Sequence, residues 1–516
     1  MSTSPLMAIG MKAMAANYAA LQTTGHNIAN ANVAGYSRQQ VELATAQGQF
    51  SGAGFFGKGV DVVAVTRSHD EFLTREAAGA RALAGMDAPR LAQLQRLESI
   101  FRTGESGLGH AADAFLNSMV DVVSRPDDSA ARQVVLARAG DLASRYAETG
   151  AALDEAQASV VGSLQASVAQ VNVLARGIAE TNQRIAAQRG LGQPANDLLD
   201  QRERLISELS QYVKTTRIEA DDGSLAIFIG GGQRLVLGTE AATMKVVADR
   251  ADPSRAALAL ADGGQLRSIG EEALGGGAIA GLLRFQNVDL RDARNLIGRL
   301  AAAVAGAVNE QQRRGLTLQP PLGQVAGSDL FALGPPLALP HAANVRDAGG
   351  APLGSVALTV TDPSALQASE YDLYEDPAQA GQWLLARRLD GSVRAVASGD
   401  VVDGVRIDFG VPGPQPGDRF LLQPVTRAAN GMTRLLDDPR DLAAAAPLIA
   451  STGIGNTGSA GVQRLDVNAA PLPVPGATTR ITFTDDNGGY TWELLDAGNA
   501  TLASGVGQWQ AGQPVP

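Results

Sequence analysis

Between Met7 and Ile28, large apolar residues return at helical spacing. Met7, Met11, Met14, Tyr18 and Leu21 follow one another at intervals of four, three, four and three, and the series resumes at Ile28 after a vacancy at Gly25. This alternation is a heptad seam along one side of a helix. Ser4 followed by Pro5 supplies an N-cap and a first-turn proline. Asn27, Asn30, Asn32 and Gly35 are residue types that satisfy backbone groups at a helix end or accept left-handed backbone, so the pattern predicts a helix that stops soon after Ile28 and continues as an extended segment. One apolar stripe does not offset the entropy of ordering about two dozen backbones. The seam therefore needs a partner, either further along the chain or on a neighbouring subunit.

Helical periodicity returns from Glu71 to Val213. Leu91, Leu94, Leu97 and Phe101 predict one buried stripe, and Phe115, Met119 and Val122 a second, ended by Arg125-Pro126-Asp127-Asp128. From Leu136 through Tyr146, Leu164 and Leu174 to Ile185 runs a very long amphipathic segment of bundle character, closed by Gly190 to Pro194. Asn196 is expected to cap the next helix, with Asp200 pairing with Arg204 one turn on. Between Lys214 and Ile269 the period falls to two, and the turns at Asp221-Asp222-Gly223 and Gly230-Gly231-Gly232 predict small hairpins. The triple glycine leads into a strand and lacks the Lys-Ser/Thr of a phosphate loop. Leu282, Phe285, Leu290, Leu296, Leu300, Val304 and Val308 predict a further long buried stripe. Beyond a Pro- and Gly-rich connector at 315–353, alternation between Val356 and Phe420 predicts a compact β module, then a short helical piece from Met432 to Ala446. A second, related β module begins near 460 and breaks off before any counterpart of the first module's last strands, as expected for a chain cut inside a domain.

Composition removes several function classes. The 516 residues carry a net charge of -11 and no cysteine, with a pI near 5.0. There is no basic footprint for nucleic acid, and neither disulfides nor thiolate chemistry contributes. The N-terminus lacks a signal-peptide pattern, and no run approaches 18 uninterrupted apolar residues, so no membrane insertion is expected. His26, His69, His110 and His341 are scattered, and neither His-Glu-x-x-His nor Gly-x-Ser-x-Gly occurs. Asp221-Asp222, Asp437-Asp438 and Asp485-Asp486 fall at turns, where aspartate bonds its own backbone. No catalytic residue, cofactor or metal ligand is expected.

The run from Asn27 to Gln39 (Asn-Ile-Ala-Asn-Ala-Asn-Val-Ala-Gly-Tyr-Ser-Arg-Gln) resembles the N-terminal signature of bacterial flagellar axial proteins. In its Val-Ala-Gly-Tyr-Ser-Arg-Gln form it is most similar to the FlgK type of hook-associated protein, the hook-filament junction family. Pro126 to Gln133, Asn196 to Glu203, Gly281 to Phe285 and Gly417 to Val425 resemble further segments of that family in the same order, so the likeness spans roughly 1–450.

The resemblance implies a multidomain α plus all-β chain, a long α-helical bundle with small β-hairpins followed by β-rich outer modules. Its expected divisions are an axial helix and extended segment at 1–70, a bundle at 71–350 with hairpins at about 214–269 and completed by 430–450, a first β module at 351–429, and a second at 455–516, incomplete and without the family's C-terminal helix. It implies a structural subunit that joins hook to filament as a homo-oligomer in a helical, tubular assembly, between the hook protein and the second junction protein. An export chaperone is expected on the absent C-terminal helix. The flagellum is the expected extracellular location, reached by type III export without a cleaved signal. Expected subunit contacts are Met7, Met11, Met14, Tyr18, Leu21 and Ile28 on the seam and Asn27, Asn30, Asn32, Gly35, Tyr36, Arg38 and Gln39 at its end. Two alternatives stand beside this reading: another axial subunit of hook, rod or flagellin type, and an adhesin whose β modules bind glycan through Tyr371, Trp383, Tyr490 and Trp492.

Overall fold

The computed structural model describes residues 5–51, 54–190, 195–459, 461–467, 476–510, 512–513 and 515. The Ser4 cap, most of the closing loop at 191–194 and the expected start of the second β module at 460 lie outside the described residues. The chain divides into two compact units, one formed by Met1–Ile100, Ala152–Ala293 and Leu339–Asn344, the other by Phe101–Ala151, Arg294–Ala338 and Val345–Pro516.

In the first unit, helix α1 (Pro5–Asn30) is followed by an antiparallel ribbon of β1 (Gln39–Thr45) and β4 (Val60–Arg67), with a short hairpin of β2 (Gln49–Ser51) and β3 (Gly54–Phe56) between them. Helix α2 (Glu71–Ile100) packs against α5 (Asn196–Tyr212) and α7 (Ala278–Arg284). The second part of α4 (Ser129–Gly190) buries Leu153, Val160, Leu164, Val171, Leu174 and Ile178. Strands β5 (Thr216–Glu219), β6 (Leu225–Ile229), β7 (Gln233–Leu237) and β8 (Glu240–Ala241) form one meander. Strands β9 (Thr243–Ala248), β10 (Ala256–Asp262) and β11 (Gln265–Ile269) form another, in the order β11-β10-β9. The Gly230–Gly232 turn joins β6 to β7 as a plain hairpin.

Buried polar groups tie these layers together. Gln286, in a stretch of π geometry at Phe285–Leu290, accepts from Gln157 Nε2 (2.7 Å) and Ala256 N (2.9 Å) and donates to Ala256 O (2.9 Å). Arg202 donates to Asn182 Oδ1 (3.0 Å) and Gly223 O (2.7 Å). Burial pulls its pKa below the usual guanidinium value, and without these acceptors its charge would be costly to enclose.

The second unit contains α3 (Leu108–Ser124), the first part of α4 and most of α8 (Arg291–Arg313); α6 (Glu271–Leu274) belongs to the first unit. Asn309 of α8 accepts from Leu330 N and Phe331 N (2.9 Å each) and donates to Phe331 O (2.8 Å), fixing the chain that leaves the helix. The β module places Arg419–Gln423, Tyr371–Glu375, Trp383–Arg387 and Val393–Val396 side by side in that order, and packs them on a sheet of Val356–Val360, Val405–Phe409 and Val401–Val402. Tyr371, Leu373, Trp383, Leu385, Ile407, Phe420 and Leu422 form its core. Tyr371 and Trp383 are thus core residues and line no glycan groove, and Tyr490 is likewise buried. A three-stranded sheet of Thr478–Phe483, Gly489–Leu495 and Thr501–Gln508 follows.

The fold class read from patterning, long helices with small sheets and β-rich modules after them, is the one observed. Three local expectations are corrected. Met432 to Ala446 is not a helix: Thr433–Arg434 pairs with Phe331–Ala332, and Pro439–Asp441 makes a single 3-10 turn capped by the Asp438 carboxylate. The segment's backbone bonds go elsewhere, Leu435 N to Leu330 O and Leu316 N to Ala445 O. The buried Arg132 at the start of α4 also grips it, through the carbonyls of Pro439 and Leu442.

On α8 the buried face is Ile297, Ala301, Ala302, Ala305 and Asn309, whereas Leu296 and Leu300 are exposed. Gly298 explains this choice, because a Cβ there would lie 1.9 Å from Val425 O. On α2, Ala78 and Ala82 are buried and Leu91 is exposed.

One stretch of α4 is long and apolar enough by composition to cross a membrane. A core helix of a soluble protein passes the same test, and Val135, Leu136, Leu142, Leu153, Val160 and Leu164 of α4 are covered by protein.

Candidate assembly element

Helix α1 has two unlike faces, and it buries the smaller one. At about 3.6 residues per turn, Ala16 lies half a turn round from Met7, in line with Lys12, Ala19, Ala20, Thr23 and Asn27, and with Ile9, which is 38% exposed near the start of the helix. From Lys12 onward this side is covered or half-covered and rests on β1 and β4. Small side chains let the helix approach the ribbon, and Lys12 Nζ pairs with Asp61 Oδ1 at 2.7 Å. Ala16 is 3% exposed, whereas Leu21 and Ile28 are 72% exposed, and Met7, Met11, Met14 and Tyr18 stand open with them. The ribbon adds exposed Leu43, Val62 and Val63, and the short hairpin exposed Phe50, Phe55 and Phe56. Large apolar surface of this extent on one element makes it a candidate interaction site.

The end of α1 is built by a clamp. Asn27 Oδ1 accepts from Gln39 N (2.8 Å) and from the Tyr36 hydroxyl (2.6 Å), while Asn27 Nδ2 donates to Gln39 O (2.8 Å). One amide thus satisfies both backbone groups of the residue that starts β1. Asn30 Nδ2 donates to His26 O (3.0 Å) inside the last turn, and Tyr36 meets the His26 ring edge-on at 5.6 Å. Gly35 has φ +78°, the left-handed region that reverses the chain. A Cβ there would lie 2.2 Å from Arg204 Cγ, so the position demands glycine for conformation and for space.

Helix α5 closes over this turn. Asp200, 5% exposed, accepts from Ser37 N with Oδ2 and from Arg67 Nη1 with Oδ1, both at 2.9 Å. Gln39 Nε2 donates to Asp197 Oδ1 (3.2 Å), and Asn196 Nδ2 donates to Val65 O (2.7 Å). Burial first, then the Asp200 and Asp197 carboxylates, push the Tyr36 hydroxyl above its usual pKa of 10.0.

Two expectations are corrected here. Asn196 is the first residue of α5 rather than its cap, which is Ala195, because its side chain is spent on β4. Asp200 pairs with Arg67 rather than Arg204, whose stem packs on Gly35. Of the expected contact residues, Asn27, Tyr36 and Gln39 form the clamp, Gly35 its turn and Asn30 the last helical turn, while Asn32 and Arg38 are placed beside it. Sequence reading missed Ser37, Arg67, Asn196, Asp197 and Asp200 as one lock. The two family-like runs, 27–39 and 196–203, were visible, but nothing in their spacing indicated that they touch. Among the described residues, no group of three or more His, Cys, Asp or Glu is placed to hold a metal.

The helical domain of the flagellar hook-associated protein FlgK matches residues 94–331. The chain is 33% identical over 503 residues to flagellar hook-associated protein 1 of Escherichia coli (strain K12), covering 96% of this chain and 88% of that one. It is also 33% identical over 452 residues to flagellar hook-associated protein 1 of Salmonella typhimurium, covering 86% and 79%. The solved structure of the flagellar hook junction protein FlgK from Burkholderia pseudomallei has the same fold, with a TM-score of 0.73 over 86% of this chain and 83% of that one, at 23% identity.

Proposed function

We propose, from the premise that the chain belongs to the flagellar hook-associated protein 1 family, that it joins hook to filament by helical polymerisation through α1. The family's members are structural proteins of the flagellum, an extracellular appendage, and not enzymes, and they assemble with other flagellar proteins. Within that setting the hook protein and the second junction protein are the neighbours of this chain, an export chaperone holds the family's C-terminal helix before export, and type III export delivers the subunit without a cleaved signal. Residues 1–70 form the axial part, 71–350 with 430–450 the surrounding bundle, and 351–429 and 455–516 the outer modules.

The observation that carries this reading is the inverted packing of α1. A helix that served as monomer core would bury Met7, Met11, Met14, Tyr18, Leu21 and Ile28 and expose its alanines. Here the alanine side is satisfied within the chain and the heptad seam is left open, as a subunit interface requires. The test is complementation of a strain that lacks the protein. The unaltered protein should restore filaments on hooks. Leu21→Asp and Ile28→Asp should leave bare hooks while keeping folding stability within about 0.5 kcal/mol, because both sites are exposed. Filaments in normal number on cells carrying either substitution would end this reading.

A further inference from the structure

The methionines of this protein are divided sharply by environment. Met7, Met11 and Met14 are 64%, 52% and 72% exposed and occupy successive turns of one helix face, whereas Met244 and Met432 are 1% exposed. Met86 and Met119 are half-buried. We infer that Met7, Met11 and Met14 are a site of reversible sulfoxidation that blocks assembly of the free subunit. The inference rests on the assembly reading of α1 and adds a chemical control to it.

The chemistry needs a two-electron oxidant of the peroxide class. The thioether sulfur attacks one peroxide oxygen, the O–O bond breaks as the S–O bond forms, sulfur gives up two electrons, and the second oxygen leaves as water. The product is a polar, chiral sulfoxide where a flexible apolar side chain stood. The Met side chains suit an interface between non-identical subunits because the thioether adapts to irregular gaps. A sulfoxide at the same place would set a strong acceptor into an apolar seam, which costs unless a donor meets it. Reactivity follows exposure, so the seam is open to the oxidant in the free subunit and closed once a neighbour covers it. Oxidation therefore acts before assembly and spares the finished structure.

The experiment treats the full chain with hydrogen peroxide, maps sulfoxide by peptide mass spectrometry, and measures co-sedimentation with isolated hooks. In the free chain Met7, Met11 and Met14 should oxidise at least about tenfold faster than Met244 and Met432. The oxidised chain should need at least about tenfold more protein to load hooks, and reductases for both sulfoxide epimers should restore loading. The triple variant M7L/M11L/M14L, compared only with its own untreated sample and whatever its starting level, should lose none of its loading to peroxide. Equal oxidation of seam and buried methionines, or undiminished loading by the oxidised chain, overturns the inference. An untreated chain that never loads hooks removes the assembly reading instead, while the oxidation rates still decide whether the seam is the reactive site.

Discussion

Asn27 and Asp200 show how few side chains hold the end of α1 in place. Asn27 ties Gln39 and Tyr36 to the last turn, and Asp200 ties Ser37 and Arg67 to α5. Asp200→Asn keeps the shape but removes the charge that Arg67 faces, and should weaken the lock by about 1–3 kcal/mol. Hydrogen exchange should then quicken at the amides of 37–45 and stay slow at those of 225–229. Tyr36 provides a pH test. Its folded pKa lies above 10.0, so its contribution is complete below pH 10 and is lost as pH rises through the folded value. Loosening of 27–39 above pH 10 is expected in the unaltered chain. In Tyr36→Phe that pH dependence should be absent, and a constant loss of about 0.5–1.5 kcal/mol should replace it, read by urea unfolding at pH 8 and pH 11. Asn27, Tyr36 and Gln39 were legible as a group because they share one short run. The Asp200–Arg67 bond was not, since 133 positions separate the partners and Arg204 stands one turn from Asp200 as a plausible local rival.

At the scale of elements, α1, α2 and α8 follow one rule: the buried face is the small one. Ala16 on α1, Ala78 and Ala82 on α2, and Ala301, Ala302 and Ala305 beside Ile297 on α8 are covered, while Met7, Met11, Met14 and Leu21 of α1, Leu83 and Leu91 of α2, and Leu296 and Leu300 of α8 are exposed. A reading weighted by hydrophobicity selects the opposite face, which is why helix existence was legible at α8 and its orientation was not. Close backbone approach is the cause, and Gly298 tests it. Gly298→Ala would set a Cβ 1.9 Å from Val425 O and should cost about 1–3 kcal/mol by overpacking, despite alanine's better helix propensity. Chemical denaturation measures this; a stabilised variant would refute the close approach. The 432–446 segment failed for a related reason. Its residues suit a helix locally, but Leu330, Leu316 and Arg132 take its backbone groups.

For the whole molecule, the net charge of -11 would set copies of the chain against each other in the proposed helical assembly. Salt screens that repulsion and leaves the hydrophobic contact intact. Self-association should therefore strengthen between roughly 50 and 500 mM sodium chloride rather than weaken as an ion-pair interface would. Sedimentation across that range checks the sign.

Periodicity, composition and short runs by themselves determined the class of fold, the existence and spacing of the α1 seam, the helix stop near Asn30, and the absence of motifs for metal or nucleophilic chemistry. These are local properties, carried by residues within a turn or two of one another. Tertiary structure decided which face of each helix is inside, where the Asn196–Asp200 run docks, and that α1 leaves its large apolar side open. Each depends on which distant backbone comes close enough to exclude bulky side chains, and chain-local spacing carries no record of that distance.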